Sequence, residues 1–151
     1  MVGWKSIMYK VFLDINILLD YLIAEREGHS SAQRIIELSV DNKIISYISS
    51  ITLINIFYIL RKQRTESERK EIIESFLVIL DIVELDVNLL QLSLYLPIED
   101  YEDSVQYACA EKVDVDYIIT GDLKFQKCDL ELRRISSLEF LNEISNNNCI
   151  K

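Results

Sequence analysis

The chain has 151 residues, and its 16 Lys and Arg against 25 Asp and Glu give a net charge of −9. That length suits one domain, and the 50% apolar content supplies a core and argues against disorder. Three Gly and one Pro exclude collagen-like and linker-rich classes, and the acidic balance excludes a passive nucleic-acid coat, which must neutralise many phosphates.

In chain order, Met1 to Ile7 is expected to be a leader outside the fold, and Tyr9 to Leu13 a short buried strand. Asn16 to Ile23 is apolar at helical spacing. After Gly28, Ser30 or Ser31 is expected to cap a helix through about Val40, which ends at Asp41-Asn42. Ile44 to Ile48 reads as a strand. Ile51 to Leu60 reads as a buried helix with basic residues Arg61 to Arg64 in its last turn. Thr65 and Glu68 form the signature of a capping box opening a helix to about Leu80.

Ile82 to Leu85 is a third expected strand, and Val87 to Leu96 an amphipathic helix stopped by Pro97. Glu102 to Val113 reads as a helix, Tyr117 to Thr120 as a strand and Arg134 to Ser136 as a last strand. Ser137 to Ile144 closes the pattern as a helix. One domain is therefore expected over 1–151, with a core at about 9–144 and a frayed tail at 145–151. Short apolar strands alternating with helices predict an α/β fold, a three-layer α/β/α sandwich around a central, mainly parallel sheet. Ligands of such sheets sit beyond the carboxyl ends of the strands.

Cys109, Cys128 and Cys149 are far apart and form no C-x-x-C pair, so neither a disulfide framework nor a thiolate zinc site is expected. The single His29 excludes a two-histidine metal motif. No apolar run approaches the roughly 18 residues of a membrane span, so a cytoplasmic protein with no membrane partner is the expectation. Three acids stand where chemistry is expected. Asp14 follows the first strand, Asp122 follows the fourth across Gly121, and Asp103 opens a helix. Converging carboxylates suit Mg²⁺ or Mn²⁺, and such ions activate water against phosphodiesters. Each acid also has a structural reading: Asp14 as a helix cap, Asp103 as a dipole complement, Asp122 as a turn residue.

The stretch from Val11 to Asp20 resembles the opening of a PIN domain, a strand followed by D-x-N-x-L-L. Ser49 to Ile56 is similar to that family's second motif, S-x-x-T-x-x-E. Asp100 to Ser104, with Ala108 and Ala110, is similar to the third, and Asp116 to Asp122 with Phe125 to the closing motif. The order holds from about residue 9 to 140. The resemblance implies a metal-dependent endoribonuclease using Mg²⁺ or Mn²⁺, the toxin of a toxin–antitoxin pair, acting as a homodimer on RNA. Carried over by position, Asp14, Asp103 and Asp122 would be catalytic metal ligands. Asn16, Thr52 and Thr120 would be polar supports, with Asp100 a lesser candidate.

One position departs from the pattern. The family's second acid falls at Asn55, which shares a helix face with Thr52. An amide oxygen is a weaker cation ligand than a carboxylate. The alternative expectation is therefore a catalytically weakened PIN fold that works through a protein partner.

Overall fold

The computed structural model describes residues 8 to 147. The expected leader and the end of the tail lie outside the described residues. The elements run β1 (Tyr9–Leu13), α1 (Ile15–Leu22), α2 (His29–Val40), β2 (Ile44–Ser49) and α3 (Ser50–Ile59). There follow α4 (Glu66–Ile79), β3 (Asp81–Val83), α5 (Val87–Ser93) and α6 (Tyr101–Lys112), then β4 (Tyr117–Ile119), α7 (Leu123–Gln126), β5 (Arg133–Ile135) and α8 (Ser137–Asn146). The strands form one sheet in the order β3-β2-β1-β4-β5, and every neighbouring pair is parallel.

The central strand β1 is apolar on both faces because helices cover both. Val11 and Leu13 enter a core with Ile35, Ile56, Phe76 and Phe140, built from α2, α3, α4 and α8. Phe12 points the other way, into a second core with Val105, Cys109 and Phe125 from α6 and α7. This is the expected three-layer sandwich, with a wholly parallel sheet.

Local chemistry sets the helix ends. Thr65 and Glu68 make the anticipated capping box of α4, with both reciprocal hydrogen bonds present. Helix α2 differs from expectation. Its N-cap is Gly28, without a side-chain cap, and neither Ser30 nor Ser31 fills that role. A Cβ on Gly28 would press on Asp20 Oδ2, the end of a side chain that would have to turn aside. Asp20 in turn holds Arg26 Nε at 2.6 Å, and its backbone oxygen meets His29 Nδ1 at 2.8 Å.

Helices α2 and α6 both end in Schellman motifs. Asn42 at φ 55° and Asp114 at φ 54° take the left-handed position. The bonds Lys43 N to Leu38 O and Val115 N to Ala110 O close the two motifs. Helix α5 stops at Ser93, short of the expected Leu96. The basic run after α3 occupies a 3-10 turn, Leu60–Lys62, and its continuation rather than the helix's last turn. Arg64 bonds the carbonyl of Leu22, at the far end of α1 from Asp14. The short α7 was not anticipated; Asp122 starts it.

Candidate active site

Parallel pairing brings the carboxyl ends of β1, β2 and β4 to one edge. Leu13 pairs with Ile119, and Asp14 N then bonds Ile119 O at 3.0 Å. Asp14 thus leaves the sheet beside Thr120. It occupies the N-cap position of α1 but makes no side-chain cap bond. Its carboxylate is therefore not spent on capping, although the residue is only 4% exposed.

Thr120 Oγ1 donates to Asp14 Oδ2 at 2.7 Å and accepts from Asp122 N at 3.1 Å. Thr120 is fully buried, and Gln126 Nε2 holds its carbonyl. Asp122 caps α7 through Oδ1, which accepts from the amides of Lys124 and Phe125. Asp100 caps α6 by accepting from Asp103 N at 3.0 Å. That cap fixes the first turn of α6, from which Asp103 faces the other acids.

Electrostatics ties these groups together. Burial pushes the Asp14 carboxyl up, opposed by hydrogen bonds from Thr120, the Ile15 amide and Gln106, with Asp122 adding to the rise. Asp103 is pushed up to about 7, first by burial and then by Asp100, Asp14, Asp122 and Glu102. Glu102 is itself raised by burial, by Asp100 and by Asp14. Mutual repulsion of this kind arises between carboxylates that lie within each other's electrostatic reach.

The oxygen donor set suits a hard divalent cation, and neutralising the repulsion would favour its binding. Among the described residues, no group of three or more His, Cys, Asp or Glu side chains is already gathered closely enough to hold a metal ion.

Of the supporting residues, only Thr120 and Asp100 bond directly to the acids or their helix. Asn16 and Asn55 are partly buried, and among the described residues their side chains have no hydrogen-bond partner. Thr52 Oγ1 meets Ser49 Oγ at 3.1 Å, at the start of α3 on the same sheet edge. Sequence reasoning missed Glu102 and Gln106. Their signal was helical spacing: Gln106 is one turn beyond Asp103.

A family model for the PIN domain matches residues 10–124. The chain belongs to the PIN domain family. Among characterised PIN relatives, ribonuclease VapC1 of Aquifex aeolicus (strain VF5) is 27% identical over 136 residues, 82% of this chain and 88% of that protein. Two solved structures share the fold. VapC20 of Mycobacterium tuberculosis, a Sarcin-Ricin loop cleaving toxin, superposes with a TM-score of 0.62 at 14% identity, covering 82% of this chain and 98% of its own. DNA-bound VapBC from Salmonella typhimurium gives 0.63 at 18% identity, with 86% and 99% coverage. No helix among the described residues of this PIN protein is long and apolar enough to cross a membrane.

Proposed function

We propose that this PIN protein is a divalent-metal-dependent endoribonuclease, the toxin of a toxin–antitoxin pair. The observation that carries the proposal is the Asp14 carboxylate, buried, free of any capping duty and held by Thr120 beside Asp122. The PIN match and the ribonuclease VapC1 relative support RNA as the substrate. VapBC complexes among the structural neighbours support a small antitoxin partner. A homodimer acting in the cytoplasm completes the reading.

Asp14, Asp103 and Asp122 would hold Mg²⁺ or Mn²⁺, which supplies charge neutralisation and water activation when bound. The protein's own part is positioning. Thr120 fixes one oxygen of Asp14, and the Asp100 cap aims Asp103. Held up at about 7, Asp103 is partly protonated near neutral pH, and a bound cation would favour its ionised form. Lys124, beside Asp122 and paired with Glu99 at 2.9 Å, supplies an exposed positive charge at the rim for phosphate.

The test is cleavage of single-stranded RNA with Mg²⁺ or Mn²⁺, with and without chelator, beside Asp14→Asn. Metal-dependent cutting lost in the variant supports the nuclease. A folded protein that neither binds metal nor cuts supports the binding-module alternative, which Asn55 in the family's acidic position favours.

A further inference from the structure

Gln106 is a buried neighbour of Asp14 with one side-chain polar atom unaccounted for. It is 3% exposed, on α6 one turn beyond Asp103. Its side-chain amide donates a hydrogen bond to the Asp14 carboxylate. Its Oε1 has no hydrogen-bond partner among the described residues. A buried acceptor left unpaired is costly, and native proteins satisfy such atoms with water or ions.

The ionised carboxylates beside Gln106 do not supply the missing donor. Asp14 and Asp103 are acceptors when ionised. Thr120 has one hydroxyl proton, already directed to Asp14. No described residue donates to Oε1, and the polar surroundings suit a water molecule.

We propose that Gln106 is a positioning residue of the acidic site: its amide holds the Asp14 carboxylate opposite Thr120, and its Oε1 accepts a hydrogen bond from a water of that site. Three donors then fix Asp14 from three elements: Thr120 at the end of β4, the Ile15 amide at the start of α1, and Gln106 from α6. This grip keeps the carboxylate aimed at the site against the repulsion of Asp122. The inference rests on the nuclease reading and extends it to a residue outside the acidic set.

The experiment compares the wild type with Gln106→Leu and Gln106→Met. Mn²⁺ binding is measured by calorimetry, metal-free unfolding by thermal denaturation, and RNA cleavage by steady-state kinetics. The expected result is a metal-free unfolding temperature below wild type but a folded protein, because the buried Asp14 carboxylate loses a donor. Mn²⁺ affinity falls about 10-fold or more, the scale of lost outer-sphere support. The kcat falls while KM for RNA holds.

Wild-type Mn²⁺ affinity in both variants, within about twofold, overturns the inference and leaves the nuclease reading standing. Gln106→Met, unbranched and of similar length, carries the test if Gln106→Leu does not fold. Failure of both to fold makes Gln106 structural and also overturns it. A wild type that binds no Mn²⁺ overturns the nuclease reading and this inference together.

Discussion

The hydroxyl of Thr120 ties two acids from distant parts of the chain. Its proton goes to Asp14 Oδ2 at 2.7 Å, and its lone pair takes Asp122 N at 3.1 Å. A hydroxyl has a single proton, so accepting from the Asp122 amide leaves that proton for Asp14. The end of β4 thereby fixes the residue that ends β1.

Thr120→Val keeps the shape and removes this link. It leaves a buried carboxylate short of a donor, and such a loss costs about 1–3 kcal/mol. Urea unfolding at neutral pH should show that loss, and Mn²⁺ affinity should fall with it. Thr120→Ser retains the hydroxyl and should recover much of both.

Asp103 predicts a pH dependence with a definite sign. Unfolded, it titrates near its ordinary value of roughly 3.9. Folded and without metal, it is held up at about 7. Between these values the folded state binds a proton that the unfolded chain has lost, so stability falls as pH rises through the window. Asp14 and Glu102 are also raised and act in the same direction. Glu66, Asp86 and Glu143 are lowered and act in the opposite direction, at lower pH. The metal-free protein should therefore resist urea better at pH 5 than at pH 7.5, by order of the shift cited. Asp103→Asn should flatten that slope, and Mn²⁺ should restore stability at the higher pH by mass action.

Arg134 organises the loop that follows Asp122. It is 8% exposed, and its guanidinium donates to the carbonyls of Phe125, Gln126, Cys128, Leu130 and Leu132. Among the described residues no carboxylate pairs with it. Arg134→Met should leave several carbonyls unpaired and cost roughly 2–4 kcal/mol. Arg134→Lys should not restore the loss, because an ammonium cannot reproduce the planar fork. Chemical denaturation of both variants checks this.

Gly28→Ala tests the packing at the start of α2. The added carbon meets Asp20 Oδ2 at 2.3 Å and Cγ at 2.9 Å. Asp20 must turn aside, which weakens its pairing with Arg26 at a cost of up to about 1 kcal/mol. Adding Asp20→Ala should relieve most of the clash, and thermal unfolding of the single and double variants measures the difference.

The sheet order is not written in any one stretch, yet alternating short apolar strands and helices made the layered fold legible. Capping at Thr65 was readable because donor and acceptor lie three residues apart. The Gly28 cap was not, because a glycine offers no side-chain acceptor to mark a helix start. Helix α7 escaped notice because it is a single turn nucleated by the Asp122 side chain. In the proposed site, Asp14, Asp103 and Asp122 stand out in the sequence as acids at element ends. Gln106 and Glu102 do not, since their relevance arises from the face that α6 turns toward β1.

The central claim is that Asp14, Asp103 and Asp122 form one cation-dependent nuclease site despite Asn55. The most direct measurement is a Mn²⁺ titration followed by single-stranded RNA cleavage, with Asp103→Asn run beside the wild type. The account predicts that the wild type binds Mn²⁺ and cuts RNA, and that the folded variant does neither. A wild type that is folded but shows neither binding nor cleavage would contradict it, as would an Asp103→Asn variant that cuts RNA as well as the wild type.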